Sequence, residues 1–163
     1  MTAKLTPEFC YIAGLISKGR ELERSAVGIV TTMDELLERF VETAIKLGVD
    51  PRKIMIEEND ETTHAYFFHS KLAKEARETI ERETRIFKYK NEYSGNYLAG
   101  MFDASGKIVG GRLIIKGLNS NDQLMLQTLK VHTKGNEILN IANFIALIKD
   151  YSIVLKSKAL KGY

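Results

Sequence analysis

Apolar side chains recur at helical spacing along much of this 163-residue chain, usually after residues that start helices. The first run begins at Thr6-Pro7, where the threonine can cap a helix and the proline suits its first position, and continues to about Lys18. A second run follows residues 32–35, whose Thr-x-x-Glu pattern is that of a capping box, and Gly48 can end it. The pattern therefore predicts two helices early in the chain.

Strand-like segments lie between and after these helices. Residues 22–30 are predicted to form a strand or a short hairpin, and residues 53–58 and 63–69 two strands joined by a polar turn. Residues 70–88 carry apolar positions on one side and many charges elsewhere, which is typical of a helix with a solvated face.

The second part of the chain repeats this order of elements. A helix is predicted over residues 95–104, a strand-like segment with a glycine turn over 107–116, and a capping box at 120–123. A compact, visibly shorter strand pair around Gly135 and a last helix capped by Asn140 follow. The two capping boxes are 88 positions apart, which indicates an internal repeat.

The repeat is clearest in two apolar segments, residues 11–16 and 97–102, which read YIAGLI and YLAGMF at an offset of 86 positions. Glycine within a helix costs about 1 kcal/mol relative to alanine. Small residues offset that cost where two helix backbones must come close together. The pattern predicts that two helices pack together at these small residues: Ala13, Gly14, Ala99 and Gly100.

These two segments resemble the motif of the LAGLIDADG homing endonuclease family, of which they match the first five letters. The resemblance covers essentially the whole chain. It implies an α+β fold, a pseudo-twofold duplicated αββαββα unit with a saddle of antiparallel strands. It also implies two halves, residues 1–92 and 93–163, that form one compact monomeric pseudodimer.

The resemblance further implies that an acidic residue at the eighth motif position of each helix holds a divalent metal for DNA cleavage. Those positions here are Gly19 and Ser105, and neither side chain can replace a carboxylate as a ligand for a hard cation. Glu21 and Asp103 are weak substitutes. Glu21 is expected to be a solvated charge, and Asp103, at the sixth motif position, a local hydrogen-bonding residue.

The charge of the chain is unevenly distributed. Residues 1–95 contain 15 Lys and Arg against 17 Asp and Glu, whereas residues 96–163 contain 9 against 4. The second half is therefore the better candidate for contact with a polyanion. Lys18, beside a vacated motif position, could neutralise a phosphate directly. The candidate nucleic-acid-binding residues are Lys18, Arg20, Arg24, Lys107, Arg112, Lys116, Lys130 and Lys134.

The remaining composition narrows the class of protein. Cys10 cannot form a disulfide within the chain, no apolar run reaches the roughly 20 residues of a membrane span, and the start lacks a signal-peptide layout. A cytoplasmic monomer is expected.

Three functions remain open from the sequence. The first is binding of DNA, or alternatively of structured RNA, without cleavage, metal or cofactor. The second is an active site-specific DNA endonuclease that uses displaced carboxylates and Mg²⁺. The third is a protein-interaction scaffold that has lost its nucleic-acid face.

Overall fold

A computed structural model describes residues 5–20 and 23–160 and shows helices packed against two antiparallel sheets. The helices are α1 (Pro7–Lys18), α2 (Asp34–Lys46), α3 (Ser70–Glu81), α4 (Glu83–Ile86), α5 (Glu92–Ser105), α6 (Ser120–Thr128), α7 (Ile141–Ile148) and α8 (Ile153–Leu160). The strands are β1 (Ala26–Thr31), β2 (Met55–Asn59), β3 (Thr62–Phe68), β4 (Gly106–Val109), β5 (Arg112–Ile115), β6 (Thr133–Lys134) and β7 (Glu137–Ile138). A 3₁₀ turn, Pro51–Lys53, precedes β2.

The two sheets follow one plan, but the first has fewer strands. The first sheet has the order β1-β3-β2, and the second has the order β4-β5-β7-β6. The central pair β1–β3 therefore corresponds to β5–β7, while the described residues of the first half provide no counterpart of β4. The strand predicted from residue 22 starts at Ala26, and Leu22 itself lies outside the described residues.

The second half contains the complete predicted order of helix, hairpin, helix, hairpin and helix. Its β4–β5 hairpin turns at Gly110 and Gly111, both at positive φ, which glycine adopts at little cost. Its last hairpin has two-residue strands, against five and seven residues in β2 and β3, as the sequence predicts. The division into residues 1–92 and 93–163 stays a prediction.

The core is built around the helix pair α1 and α5. A Cβ atom built on Gly14 would overlap the Tyr97 carbonyl oxygen and lie 3.0 Å from the Gly100 Cα. A Cβ atom built on Gly100 would overlap the Tyr11 carbonyl oxygen. The two backbones thus touch at the glycines, which explains why both motif helices carry one.

Helix starts agree only partly with the sequence. Thr6 caps α1 as predicted, since its Oγ1 accepts a hydrogen bond of 3.1 Å from the Phe9 amide. The predicted capping box at residues 32–35 is wrong, because α2 begins after Met33 with no side-chain cap. The second box is shifted by one residue. Asn119 and Asp122 form it, because Asn119 is the last residue with an extended backbone.

The helix predicted over residues 70–88 breaks at Arg82 into α3 and α4. The break places Glu83 inside the protein with 1% of its surface exposed, so this part of the charged run is not a solvated face. None of the helices in residues 5–20 and 23–160 is long and apolar enough to cross a membrane.

Candidate nucleic-acid interface

The two vacated motif positions lie at the ends of the paired helices. Gly19 follows the last turn of α1 with an extended backbone, and a Cβ atom there would lie 2.5 Å from the Leu15 carbonyl oxygen. Ser105 is the last residue of α5, and its hydroxyl donates a 3.2 Å hydrogen bond to the Lys116 carbonyl. Neither position offers a carboxylate oxygen to a metal ion.

The carboxyl group of Asp103 is buried, and both of its oxygens accept hydrogen bonds. Its Oδ2 accepts hydrogen bonds from the Tyr11 hydroxyl at 2.5 Å and the Ile153 amide at 3.0 Å. Its Oδ1 accepts from the Ser152 hydroxyl at 2.5 Å and the Val154 amide at 3.2 Å. Burial raises the pKa of Asp103, and these four donors oppose that shift.

Both oxygens of Asp103 are therefore used to hold the first turn of α8 against α1 and α5. This geometry favours the interpretation of Asp103 as a local hydrogen-bonding residue over that of a displaced catalytic acid. Glu21, the other substitute, lies outside the described residues.

Lys18 does not present a free ammonium group. Its side chain is only 6% exposed, its Nζ lies 2.5 Å from Asp122 Oδ2, and it also donates to the Gly117 carbonyl at 2.9 Å. Its ammonium group therefore joins the end of α1 to α6 of the other half through this ion pair. This ion pair with a buried aspartate favours a structural role for Lys18, and its contact with a phosphate stays a prediction.

A second buried acid adjoins this ion pair. Glu83 Oε2 accepts a 2.6 Å hydrogen bond from the Tyr97 hydroxyl. Burial, followed by a hydrogen bond to Asp122, raises the pKa of Glu83 to about 8, while Tyr97 and Lys18 oppose the shift. A protonated Glu83 can donate to Asp122 Oδ1, an oxygen with no other described partner. In the sequence, Asp122 stands out only as a residue within the predicted capping box at 120–123, and Glu83 only as part of a charged run.

The second sheet, β4–β7, has a basic open face, meaning the face opposite the core. Leu113 and Ile115 point into the core and are fully buried, so Arg112 and Ile114 take the other side of β5. The register pairs Lys107 with Ile114, which places Lys107 on that same face. The exposed basic residues of this face and its margin are Lys107, Arg112, Lys116 and Lys134.

One carboxylate accompanies these charges. Glu137 is the only acidic residue in the described strands β4–β7 and forms a two-pronged bond with Arg112, at 2.6 and 3.0 Å. That bond holds the guanidinium in place while its side chain stays 63% exposed. The face thus keeps an excess of positive charge at three lysines.

The first sheet, β1–β3, has an open face of different chemistry. Alternate residues of β3 place His64, Tyr66 and Phe68 on it, with ring centroids 4.5 and 5.7 Å apart. Met55 and Glu57 of β2 pair across from Tyr66 and His64, and the Tyr66 hydroxyl donates to Glu57 at 2.7 Å. The described strands of this sheet contain no lysine or arginine.

The remaining basic candidates are exposed but lie off the sheets. Arg20 and Arg24 flank the end of α1 and line one cleft there. Lys130 follows α6 at a φ of 65°. Among the described residues, no group of three or more His, Cys, Asp or Glu side chains is placed to hold a metal ion.

Solved structures of the homing endonuclease I-DmoI have this fold. A variant of I-DmoI in complex with its target DNA and manganese matches with a TM-score of 0.70 and 18% identity, covering 88% of this chain and 94% of that chain. The complex of I-DmoI with DNA and calcium gives 0.67 and 17%, covering 99% and 100%.

These matches confirm the predicted α+β, homing-endonuclease-like fold. No protein-family model matches the sequence, and no curated protein matches it significantly.

Proposed function

We propose that this chain binds duplex DNA through the open face of the second sheet and does not cleave it. The observation that carries the proposal is the juxtaposition of an exposed basic face with two helix ends that lack carboxylates. That solved structures of the same fold are DNA complexes of I-DmoI supports DNA as the partner.

Binding follows from the charges of the second sheet. Lysine and arginine side chains that neutralise phosphates release condensed counterions, which supplies affinity without reading sequence. Lys107, Lys116 and Lys134 are exposed and form no ion pair with a described residue, while Arg112 is fixed by Glu137. The face is small, so we propose modest affinity and little sequence selectivity.

The absence of cleavage follows from the side chains at the two motif positions, which lack the carboxylates that would bind a metal ion. Mg²⁺ in phosphoryl-transfer sites is held by carboxylates, and two such ions can activate water and stabilise the leaving oxygen. Gly19 offers no side-chain ligand, and the neutral Ser105 hydroxyl is already bonded to Lys116. These residues do not fit a metal centre, and no metal-dependent step is assigned to the chain.

Binding is tested by gel-shift titration with random-sequence duplex DNA and with a folded RNA, at about 50 mM and about 200 mM salt. The expected result is a shift of duplex DNA at low salt that weakens strongly at the higher concentration. Preference for the RNA would replace DNA as the partner. No shift of either at low salt would overturn the proposal.

Cleavage is tested by incubating the protein with a library of duplex sites and Mg²⁺ or Mn²⁺. We expect intact DNA. Site-specific products that disappear in the Glu21→Gln variant would instead establish the endonuclease.

The chain is also proposed to act as a monomer, since both helices of the central pair come from one chain. Light scattering at the DNA-binding concentration gives the mass directly. The mass of one chain, 18.4 kDa, is the expected result, and twice that value would contradict it.

A further inference from the structure

A cleft of about 550 Å³ opens where α1 ends, beside β1 and α3. Gly19, the residue after α1, forms part of its wall and contributes no side chain there. The described residues that line the cleft are Ile16, Ser17, Gly19, Arg20, Arg24, Ala26, Gly28, Arg77 and Ile80.

The charged residues in the described part of this lining are all basic. Arg20, Arg24 and Arg77 line the cleft, and none of its described lining residues is acidic. None of the three arginines forms an ion pair with a described residue. Arg77 is half-buried and donates a long hydrogen bond of 3.5 Å to the Glu23 carbonyl, which orients the guanidinium without neutralising it.

We propose that this cleft binds a phosphate group. Guanidinium groups match phosphate oxygens with paired N–H donors, and such charge-assisted bonds are the stronger ones in proteins. A cleft lined by charges of one sign concentrates ions of the opposite sign. The cleft is larger than one phosphate, so a phosphate carried by a nucleotide also fits.

Two features oppose an anion here, namely the carbonyl end of α1 and the carboxylates of a neighbouring cleft. The carbonyl end of α1 contributes about half a negative charge, less than one guanidinium. Glu23, Glu78 and Glu81 line a neighbouring cleft that shares Arg24 and Arg77. Those carboxylates do not line the phosphate cleft and form no ion pair with its arginines.

Inorganic phosphate is the probe for the test, in isothermal titration calorimetry against a chloride buffer of equal ionic strength. The wild-type chain should bind it saturably. Arg77→Gln and Arg24→Gln should each weaken that binding by about tenfold, the loss of one charge-assisted contact. Arg52→Gln is the matched control, since Arg52 pairs with Asp50 outside the cleft and should bind as the wild type does.

Circular dichroism melting shows whether each variant is folded. Arg24 lies in the loop before β1, so its substitution should disturb folding less than that of Arg77 in α3. No saturable binding to the wild-type chain would overturn the proposal. Equal binding by the folded Arg24→Gln and Arg77→Gln variants would overturn it as well.

The phosphate can be free or part of a nucleic-acid backbone, and only the second source rests on the proposed function. Displacement of bound phosphate by duplex DNA would assign the site to the backbone. Retention would assign it to a free phosphate compound. The double variant Lys107→Gln/Lys116→Gln should still bind inorganic phosphate, so a failure of DNA binding at the second sheet stays separate from a failure of the cleft.

Discussion

His64, Tyr66 and Phe68 line the open face of the first sheet, whereas Lys107 and Arg112 occupy the corresponding face of the second. The two sheets share a central antiparallel pair and both pack their other face on the core. Core packing restricts one face of each strand, while the other face is free to change. This difference is the reason for proposing that duplex DNA is bound at the second sheet rather than at the open face of the first.

Two buried polar clusters contact the helix pair, one around Asp103 and one around Glu83, and they also differ in their chemistry. Tyr11 and Tyr97 occupy the same position of the repeat, and each donates to a buried carboxyl group. Asp103 accepts four hydrogen bonds and forms no ion pair with a described residue. Glu83 instead lies beside Asp122 and the Lys18 ion pair. One cluster thus contains a carboxyl group that accepts four hydrogen bonds, and the other contains an acid of raised pKa beside a salt bridge.

Each half contributes one helix to the α1–α5 pair, and disruption of this pair should have the largest effect on the stability of the fold. Gly14→Leu and Gly100→Leu are each expected to destabilise the fold by more than about 3 kcal/mol, because the added side chain must force the backbones apart. The control is Leu124→Ala, a substitution at an exposed site. Gly110→Leu is not suitable as a control, because Gly110 has a positive φ that leucine rarely adopts. Urea unfolding measures the loss. Wild-type stability of either glycine variant would mean that the helices do not meet there.

The second largest effect on stability is expected for Lys18, whose ion pair is present in the Glu83 cluster and has no counterpart at Asp103 among the described residues. Lys18→Gln leaves Asp122 buried without its cation, which should cost about 3 kcal/mol. Lys107→Gln, at an exposed lysine, should change stability by less than about 0.5 kcal/mol. A Lys18→Gln variant of wild-type stability that binds DNA more weakly would return Lys18 to the interface.

Glu83 should make the stability of the fold depend on pH. Its pKa is raised on folding, from 4.5 to about 8. The folded chain therefore binds a proton that the unfolded chain releases, and this stabilisation is complete below about pH 4.5 and is lost as the pH rises through about 8. The free energy of unfolding should fall by up to about 1.4 kcal/mol per pH unit in that range.

Glu83→Gln is the matched variant, because the amide replaces a neutral acid. Urea unfolding between about pH 5 and about pH 9 should show a weaker pH dependence in Glu83→Gln than in the wild type. Parallel curves for the two proteins would mean that Glu83 does not take up a proton on folding.

The sequence predicts the fold better than it predicts the polar interior. The two Ala-Gly segments predict a pair of helices because close helix packing has few sequence solutions. The alternation in residues 112–115 likewise predicts which side of β5 is buried. The box at residues 32–35 is wrong because α2 starts one residue later than predicted, so that Met33 and not Thr32 stands at the capping position.

Long-range polar contacts leave no periodic signal. Lys18 looks like a surface lysine until Asp122, far along the chain, is placed beside it. Glu83 looks like part of a solvated run because a sequence pattern does not show the break at Arg82. Arg77 likewise joins Arg20 and Arg24 only once α3 packs near the end of α1.

The salt dependence of duplex binding tests the assignment of the interface to the second sheet most directly. The variants are Lys107→Gln/Lys116→Gln on the second sheet and, as the matched control, Arg52→Gln/Lys53→Gln, exposed basic residues just before β2 of the first sheet. The first pair should reduce the slope of log K against log salt by about 2, because each phosphate contact contributes about 0.9. The control should keep the wild-type slope. An unchanged slope in the first pair, or an equal reduction in the control, would contradict the assignment.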